Sequence, residues 1–326
     1  MRAVLCKEHG PPESLVVVDV PSPSCGPTQV RVAVHACGVN FPDTLIIQNK
    51  YQFKPPLPFT PGGESAGEIV EVGSAAQGFR VGDRVIAMVG WGGFADEIVT
   101  DAANVMPIPE GMGYVTAAGF TMVYGTSYHA LKQRAHISPG ETLLVLGAAG
   151  GVGLAAVELG ALLGARVIAA ASSDDKLELC RSYGAAEVIN TTRESIKDRT
   201  KELTGGAGAD VIYDPVGGDA FDQAIRAINW KGRLLVVGFA SGRIPELSVN
   251  LALLKGCEVV GVFWGAFTAR EADVNRRNLA ELGDYFRAEK IRPHVSATFP
   301  LERVAEALNV ILERKATGKL VLTTEK

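Results

Sequence analysis

The sequence predicts an α/β protein in which a β-rich region is joined to a doubly wound parallel sheet. Three observations lead there. Up to about residue 120 the chain reads as short strands punctuated by Gly, Pro, Asp and Ser. Beyond that point apolar, β-branched strands alternate with helical segments, the pattern of a parallel sheet covered on both faces. Between Leu146 and Gly153 a glycine-rich turn opens a helix directly after a strand. A length of 326 residues suits two domains, at roughly 100–200 residues each.

In the first part, residues 30–37 alternate. Val30, Val32, Val34 and Ala36 share one face, and Arg31, Ala33, His35 and Cys37 the other, which predicts a half-buried strand. Residues 67–72, 84–89 and 94–99 are further β-rich runs. Residues 54–63 hold four prolines and two glycines, which is loop chemistry. In the second part, 142–146 is a continuous apolar strand, followed by a small-residue helix over 151–163 and a strand over 166–171. The alternation continues with a helix over 174–183 ended by Gly184, and a strand over 187–190. Thr191 and Glu194 have capping-box spacing for another helix. Buried strands over 210–213 and 233–237 flank a helix around 221–228, and 259–263 closes the series. The tail carries two longer helices. In the second, Leu301, Val304, Ala305, Leu308, Ile311 and Leu312 recur at helical spacing before a last strand over 320–323.

Composition narrows the function classes. A hydrophobic fraction of 47% with 21% charged residues describes a globular chain with sizeable cores. A formal net charge of -4 offers no basic footprint for a nucleic acid or an anionic membrane as main partner. The five cysteines (Cys6, Cys25, Cys37, Cys180 and Cys257) are scattered and form no CxxC, so reduced cytoplasmic thiols are expected. Lys7 and Glu8 interrupt any apolar leader, so no secretory signal is expected. The most hydrophobic region, 154–171, is broken by Glu158 and Arg166 and does not read as a membrane span.

The turn Gly147-Ala148-Ala149-Gly150-Gly151-Val152-Gly153 points to a dinucleotide. Glycine lets the backbone turn sharply and approach a pyrophosphate, whose charge rests on the N–H groups of the helix start. Gly150, Gly151, Val152 and Gly153 are therefore candidate cofactor residues. An NAD site usually ends its second strand in an acidic residue, which binds the ribose 2′-OH. Here the strand ends Ala171-Ser172-Ser173, with Lys176 one turn later and Arg193 beyond the next strand. Hydroxyls and cations suit a 2′-phosphate, so NADPH is expected. Asp174 and Asp175 argue the other way, unless they serve the dipole of their own helix. Ser172 and Ser173 equally suit helix capping, and Lys176 a solvated face.

Several motifs resemble a known family. Gly38-Val39-Asn40-Phe41-Pro42-Asp43 and Pro61-Gly62-Gly63-Glu64 look like the two active-site motifs of the medium-chain dehydrogenases and reductases. Val81-Gly82-Asp83-Arg84-Val85 resembles their turn-and-strand motif, and Ala148 to Gly153 their nucleotide loop. The resemblance spans essentially the whole chain. It implies a GroES-like β-rich catalytic domain over 1–124 and 266–326 and a Rossmann NADPH-binding domain over 125–265. In the zinc alcohol dehydrogenases a cysteine stands at the position of Asn40 and a histidine at that of Gly63. Their structural zinc loop, expected near Trp91 to Glu97, is missing here. His9, His35, His129, His136 and His294 form no close ligand pair, and His35-x-Cys37 is the single candidate, so no metal is expected. The zinc-free pattern is that of the quinone oxidoreductases, which include the zeta-crystallins and related enone reductases.

The chemistry then follows from the missing metal. Hydride transfer to a simple ketone builds charge on an isolated alkoxide, which a Lewis acid or strong donor usually stabilises. Quinones and α,β-unsaturated carbonyls spread that charge themselves, so these are the expected substrates. Asn40 is the leading candidate to contact substrate or nicotinamide, or else a turn residue closing its strand. Asp43 orients a neighbouring group or caps the helix beginning near Thr44. Tyr51 donates a proton or walls the substrate, or is an aromatic on a mobile loop. By resemblance, Thr126, Phe239 and Phe263, with Val262 and Trp264 beside it, line the nicotinamide half of the cofactor, and Lys319 lies near it. Two other readings stay open: an enoyl-thioester or alkenal double-bond reductase, and a non-catalytic NADPH-binding crystallin-like protein. The resemblance also implies a homodimer or homotetramer built on the last strand of the parallel sheet.

Overall fold

The computed structural model describes residues 1–324. The chain divides into two compact units, one formed by Met1–Met122 with the segment from Pro293 onward, the other by Val123–Arg292. The helix Ala272–Arg287 belongs to the parallel-sheet unit. Gln133 and Asn278 exchange amide hydrogen bonds of 3.0 and 3.1 Å, and Lys132 pairs with Glu281 at 2.6 Å.

The β-rich unit is organised around one long strand, Gln29–Val39. Its 11 residues give it room to pair with Glu64–Val72, Glu97–Asp101 and Lys319–Thr323, all antiparallel. The sheet runs Val295–Pro300, Lys319–Thr323, Gln29–Val39, Glu64–Val72, Arg84–Met88, Val105–Pro107. Val30, Val32, Val34 and Ala36 are fully buried, as the alternation predicts. The opposite face departs from the half-buried expectation: Ala33 and Cys37 are buried too. The helix Tyr114–Ala118 belongs to this unit, and the Tyr114 ring stacks on His35 with centroids 4.3 Å apart. The 94–99 run becomes the strand Glu97–Asp101, while Phe94 itself is a fully buried core residue.

The other unit holds six parallel strands in the order Glu187–Asn190, Arg166–Ala171, Thr142–Leu146, Ala209–Asp214, Ile228–Val236, Glu258–Gly261. Counted from Thr142–Leu146, that is the order 3-2-1-4-5-6 of a Rossmann sheet. It reverses direction between Thr142–Leu146 and Ala209–Asp214, the place where such sheets bind ligands beyond their strand ends. Leu143, Leu144, Val145, Val167, Ile168, Val211 and Ile212 are all fully buried, which is why their strands read as continuous apolar runs. The expected capping box at Thr191 and Glu194 does not form. Glu194 accepts the backbone N–H of Asn190 at 2.7 Å, closing a turn, and Ser195 caps the helix Ile196–Leu203 by accepting from the Asp198 N–H. Among the described residues no helix is long and apolar enough to cross a membrane.

Candidate active site and cofactor site

The nucleotide loop follows Thr142–Leu146 and leads into the 12-residue helix Gly151–Leu162. Gly147 holds φ at +56°, a conformation that L side chains rarely adopt. A Cβ at Gly153 would lie 2.2 Å from the Gly147 carbonyl oxygen, so only glycine lets the helix start pack so close to the loop. Gly150 is the N-cap and has no side chain to close the first turn. A Cβ there would meet only the Gly147 oxygen, at 3.4 Å. The helix therefore starts with uncapped N–H groups and an open approach, the arrangement that receives a pyrophosphate. These residues fit a dinucleotide.

At the tip of Arg166–Ala171, Ser172 is exposed and Ser173 is the N-cap of the helix Asp174–Ser182. Lys176 reaches Ser172 Oγ at 3.5 Å, and partial burial holds its ammonium below the usual lysine range. Arg193 lies against Asp174. Its guanidinium grips Asp174 through two bonds, of 2.6 and 3.0 Å, while Asn190 Nδ2 donates to the same carboxylate at 2.9 Å. Those donors hold the Asp174 carboxyl below its ordinary range. The acid that argued against NADPH is thus matched by its own arginine. Thr126 is buried on the helix Thr121–His129, where Gly125 leaves space for the Trp264 indole: a Cβ at Gly125 would lie 2.7 Å from Trp264 Cζ2. The Trp264 Nε1–H is buried with no acceptor among the described residues. Phe263 is exposed at the start of the helix Trp264–Arg270, and Phe239 is half-buried beside Gly217.

In the β-rich unit the sheet register gathers a buried polar cluster. Leu320 pairs with Val39 and Gly38 with Glu64, so Lys319 and Glu64 converge on Asn40. The Lys319 ammonium donates to Asn40 Oδ1 at 2.6 Å, Glu64 Oε1 at 2.7 Å and the Val39 carbonyl at 3.0 Å. Asn40 Nδ2 donates to Glu64 Oε1 at 3.0 Å and the Gly38 carbonyl at 3.2 Å. Glu64 Oε2 accepts from the Met122 N–H at 3.0 Å. Exposure of the Lys319 and Glu64 side chains is 5% and 0%, so the pair is fully dehydrated. Gly38 is where it must be: a Cβ there would lie 2.1 Å from the Ala118 carbonyl and 2.4 Å from Glu64 Oε1.

Both protons of the Asn40 carboxamide are given to protein oxygens, so Asn40 is a structural centre of the cluster. Lys319 likewise gives its three protons to protein oxygens. Sequence reasoning missed Glu64, although it quoted the motif that contains it. The available signal was a lysine leading the apolar strand Lys319–Thr323, since a buried cation calls for a buried acid.

Asp43 is buried and accepts from the N–H groups of Asn40 and Gly62. It closes a capping box with Asn40 at the start of the helix Phe41–Ile46. Burial pushes its carboxyl up to about 7, against the pull of those donors and of Lys319. A folded value above the unfolded one, about 3.9, means that folding takes up a proton. The contribution of Asp43 to stability is then present below about pH 3.9 and lost as pH rises through about 7. The parent is therefore expected to lose melting temperature between pH 5 and 8 more steeply than Asp43→Asn, as thermal melts in a pH series will show. Tyr51 is half-buried, with its ring edge-on to Phe53 at 5.7 Å. Its hydroxyl makes no hydrogen bond among the described residues, and burial, with the charge of Asp43, pushes its pKa up. It remains a proton-bearing donor free to engage a ligand.

No group of three or more His, Cys, Asp and Glu side chains is placed to hold a metal among the described residues. The oxygens around Asn40 that would interest a cation are filled by an ammonium, and His35 stacks on Tyr114 instead of joining Cys37. The donor set does not fit zinc.

A β-rich unit of this topology joined to a 3-2-1-4-5-6 sheet defines a medium-chain dehydrogenase/reductase. Residues 26–110 match the alcohol dehydrogenase GroES-like domain and 151–279 the zinc-binding dehydrogenase domain. The chain is 46% identical to the quinone oxidoreductase-like protein 2 homolog of Nematostella vectensis, over 100% of this chain and 89% of that protein. It is 34% identical to the human quinone oxidoreductase, over 99% and 97%. The Escherichia coli quinone oxidoreductase complexed with NADPH has a TM-score of 0.93 at 26% identity, covering 99% of this chain and 100% of that one. The chain belongs to the quinone oxidoreductase family, and it is an oxidoreductase.

Proposed function

We propose that this protein is an NADPH-dependent reductase of quinones and other conjugated carbonyls that works without a metal. One observation carries the reading. Among the described residues, the only cation in the Asn40 cluster is a lysine whose three protons are taken by Val39, Asn40 and Glu64 and whose charge is matched by Glu64. Nothing in that cluster offers a free positive charge to a newly formed alkoxide, so the acceptor must spread the charge through its own π system. NADPH, when bound, supplies the hydride.

The chain's own residues bind and orient. Gly150, Gly151, Val152 and Gly153 receive the pyrophosphate on the uncapped helix start. Ser172, Ser173 and Lys176, with Arg193 behind Asp174, surround the 2′-phosphate. Thr126, Phe239, Phe263 and the free Trp264 indole N–H serve the nicotinamide half. Tyr51 gives its proton to the acceptor oxygen as a hydrogen bond, and Asp43 holds the Asn40 turn. A lone hydrogen-bond donor toward an already delocalised anion is worth less than a full oxyanion hole. Tyr51→Phe is therefore expected to lower kcat for a 1,4-quinone by about tenfold, against the 10²–10³ of a stronger site, with KM for NADPH unchanged.

The test is a matrix of NADPH and NADH against a 1,4-quinone, an enone and a 2-enoyl thioester, with and without chelator. Turnover of the quinone with NADPH, indifferent to chelator, supports the reading. Preference for the enoyl thioester makes the protein a double-bond reductase, and binding with no turnover across the panel makes it a non-catalytic NADPH-binding protein.

Two further points belong to the proposal. The strand Glu258–Gly261 ends its sheet with a single neighbour, and Val249, Leu253, Leu254 and Val259 in and before it are exposed. Such an edge supports a homodimer that continues the sheet across a two-fold axis, and monomers at micromolar concentration in light scattering would refute it. The five cysteines are all unpaired, which supports a reducing, cytoplasmic setting.

A further inference from the structure

The Lys319 cage does more than fill space. Three oxygens from two strands and the turn that follows one of them converge on a single buried nitrogen, at 2.6 to 3.0 Å. Most of the cage is held by bonds other than those to the lysine. Glu64 is fixed by the Met122 N–H and by Asn40 Nδ2, the Asn40 amide is fixed on Gly38, and the Val39 carbonyl belongs to the sheet. The aliphatic stem of Lys319 passes against Gly119, where a Cβ would lie 3.3 Å from Lys319 Cβ and 3.4 Å from Cγ. Cutting the side chain back to Cβ would thus leave the oxygens in place, carry the charge of Glu64, and open a slot of the shape just removed. Those are the features of a cation site.

We propose that Lys319 is a tethered counter-cation occupying a latent monovalent-cation site, and that Lys319 and Glu64 are positioning residues that lock the Asn40 carboxamide. The lock has a clear geometry. Glu64 Oε1 takes one Asn40 Nδ2 proton while Lys319 holds Oδ1; without the ammonium Oδ1 loses its donor, and the carboxamide, still tethered through Nδ2, tilts and loosens the Asn40–Asp43 turn near Tyr51. A shift of about 1 Å in such a support costs roughly a hundredfold in rate. The inference rests on the reductase reading for its kinetic readout and not for its binding readout.

The experiment uses Lys319→Ala in the full-length protein, with potassium, ammonium and propylammonium chloride as probes and sodium and tetramethylammonium as controls. The acceptor is a fully ring-substituted 1,4-quinone, which the amines do not add to. In sodium, kcat is expected to fall by roughly a hundredfold with KM for NADPH nearly unchanged. Potassium, ammonium or propylammonium should raise the melting temperature and kcat together, saturably, and adding Glu64→Gln should abolish both effects. The double variant Lys319→Met/Glu64→Gln, which buries no charge, separates positioning from packing: it should recover the melting temperature while kcat stays low. No cation-dependent rise in melting temperature or rate, or a double variant with parental kcat, overturns the proposal. If Lys319→Ala does not fold in any salt, the kcat of the double variant decides. If the parent itself reduces no quinone, the reductase reading fails while the cation-dependent melting shift of Lys319→Ala still judges the site.

Discussion

In a Gly153→Ala variant, saturable NADPH binding is expected to disappear. The added methyl carbon would lie 2.2 Å from the Gly147 carbonyl oxygen, 2.9 Å from Ala148 Cα and 3.0 Å from the Gly147 carbonyl carbon. All three are backbone atoms of the turn that carries the phosphate site, so no side chain can swing aside. Relief requires the helix Gly151–Leu162 to back away from the loop by about 1 Å, and overpacking of that kind costs about 1–3 kcal/mol. A displaced helix start presents its N–H groups in the wrong place, which is where the binding is lost. Gly150→Ala is the control. Its φ of -75° suits alanine, and its nearest neighbour lies at 3.4 Å. That variant should melt like the parent and bind NADPH about tenfold more weakly, near 1.4 kcal/mol, because the methyl intrudes on the phosphate and not on the protein. Titration of both variants by calorimetry, beside their thermal melts, distinguishes the two effects.

Replacing Glu64 by leucine is expected to cost more than any surface charge in the molecule. The Lys319 ammonium would remain buried, with a carboxylate removed from 2.7 Å away. Breaking a buried pair by removing one partner costs about 3–5 kcal/mol, since the other charge is left without compensation. The Met122 and Asn40 donors that now reach Glu64 would also lose their acceptor. For a protein of this size that corresponds to a fall of roughly 10 °C in melting temperature. By contrast, Arg193→Ala breaks an exposed pair with Asp174 and should hardly change the melt. Differential scanning calorimetry of the two variants side by side checks the ranking.

The parallel-sheet unit was the most legible part of the chain. Its strands are covered on both faces, so each appears as an unbroken apolar run, and Gly147 and Gly153 of the nucleotide loop stand where only glycine fits. Helix ends were less legible, because their caps are decided by competition. Glu194 has the spacing of a capping box with Thr191, yet it satisfies the Asn190 amide, and Ser195 takes the cap. The site in the β-rich unit was half legible. Asn40, Asp43 and Lys319 each stand out in the sequence, but the contact at the centre of their cluster joins Lys319 to Glu64 across 255 positions. No local pattern encodes a pairing set by strand register. The same holds for Arg193, whose pairing with Asp174 joins residues 19 positions apart on different elements.

The direct measurement is the ratio of kcat/KM for a 1,4-quinone to that for a saturated aldehyde, with NADPH, on protein whose metal content is determined in the same sample. If charge must be spread by the acceptor, the quinone is reduced, the aldehyde is not, and neither result changes on dialysis against chelator. Brisk reduction of the aldehyde, or activity that tracks a stoichiometric metal, would contradict the account.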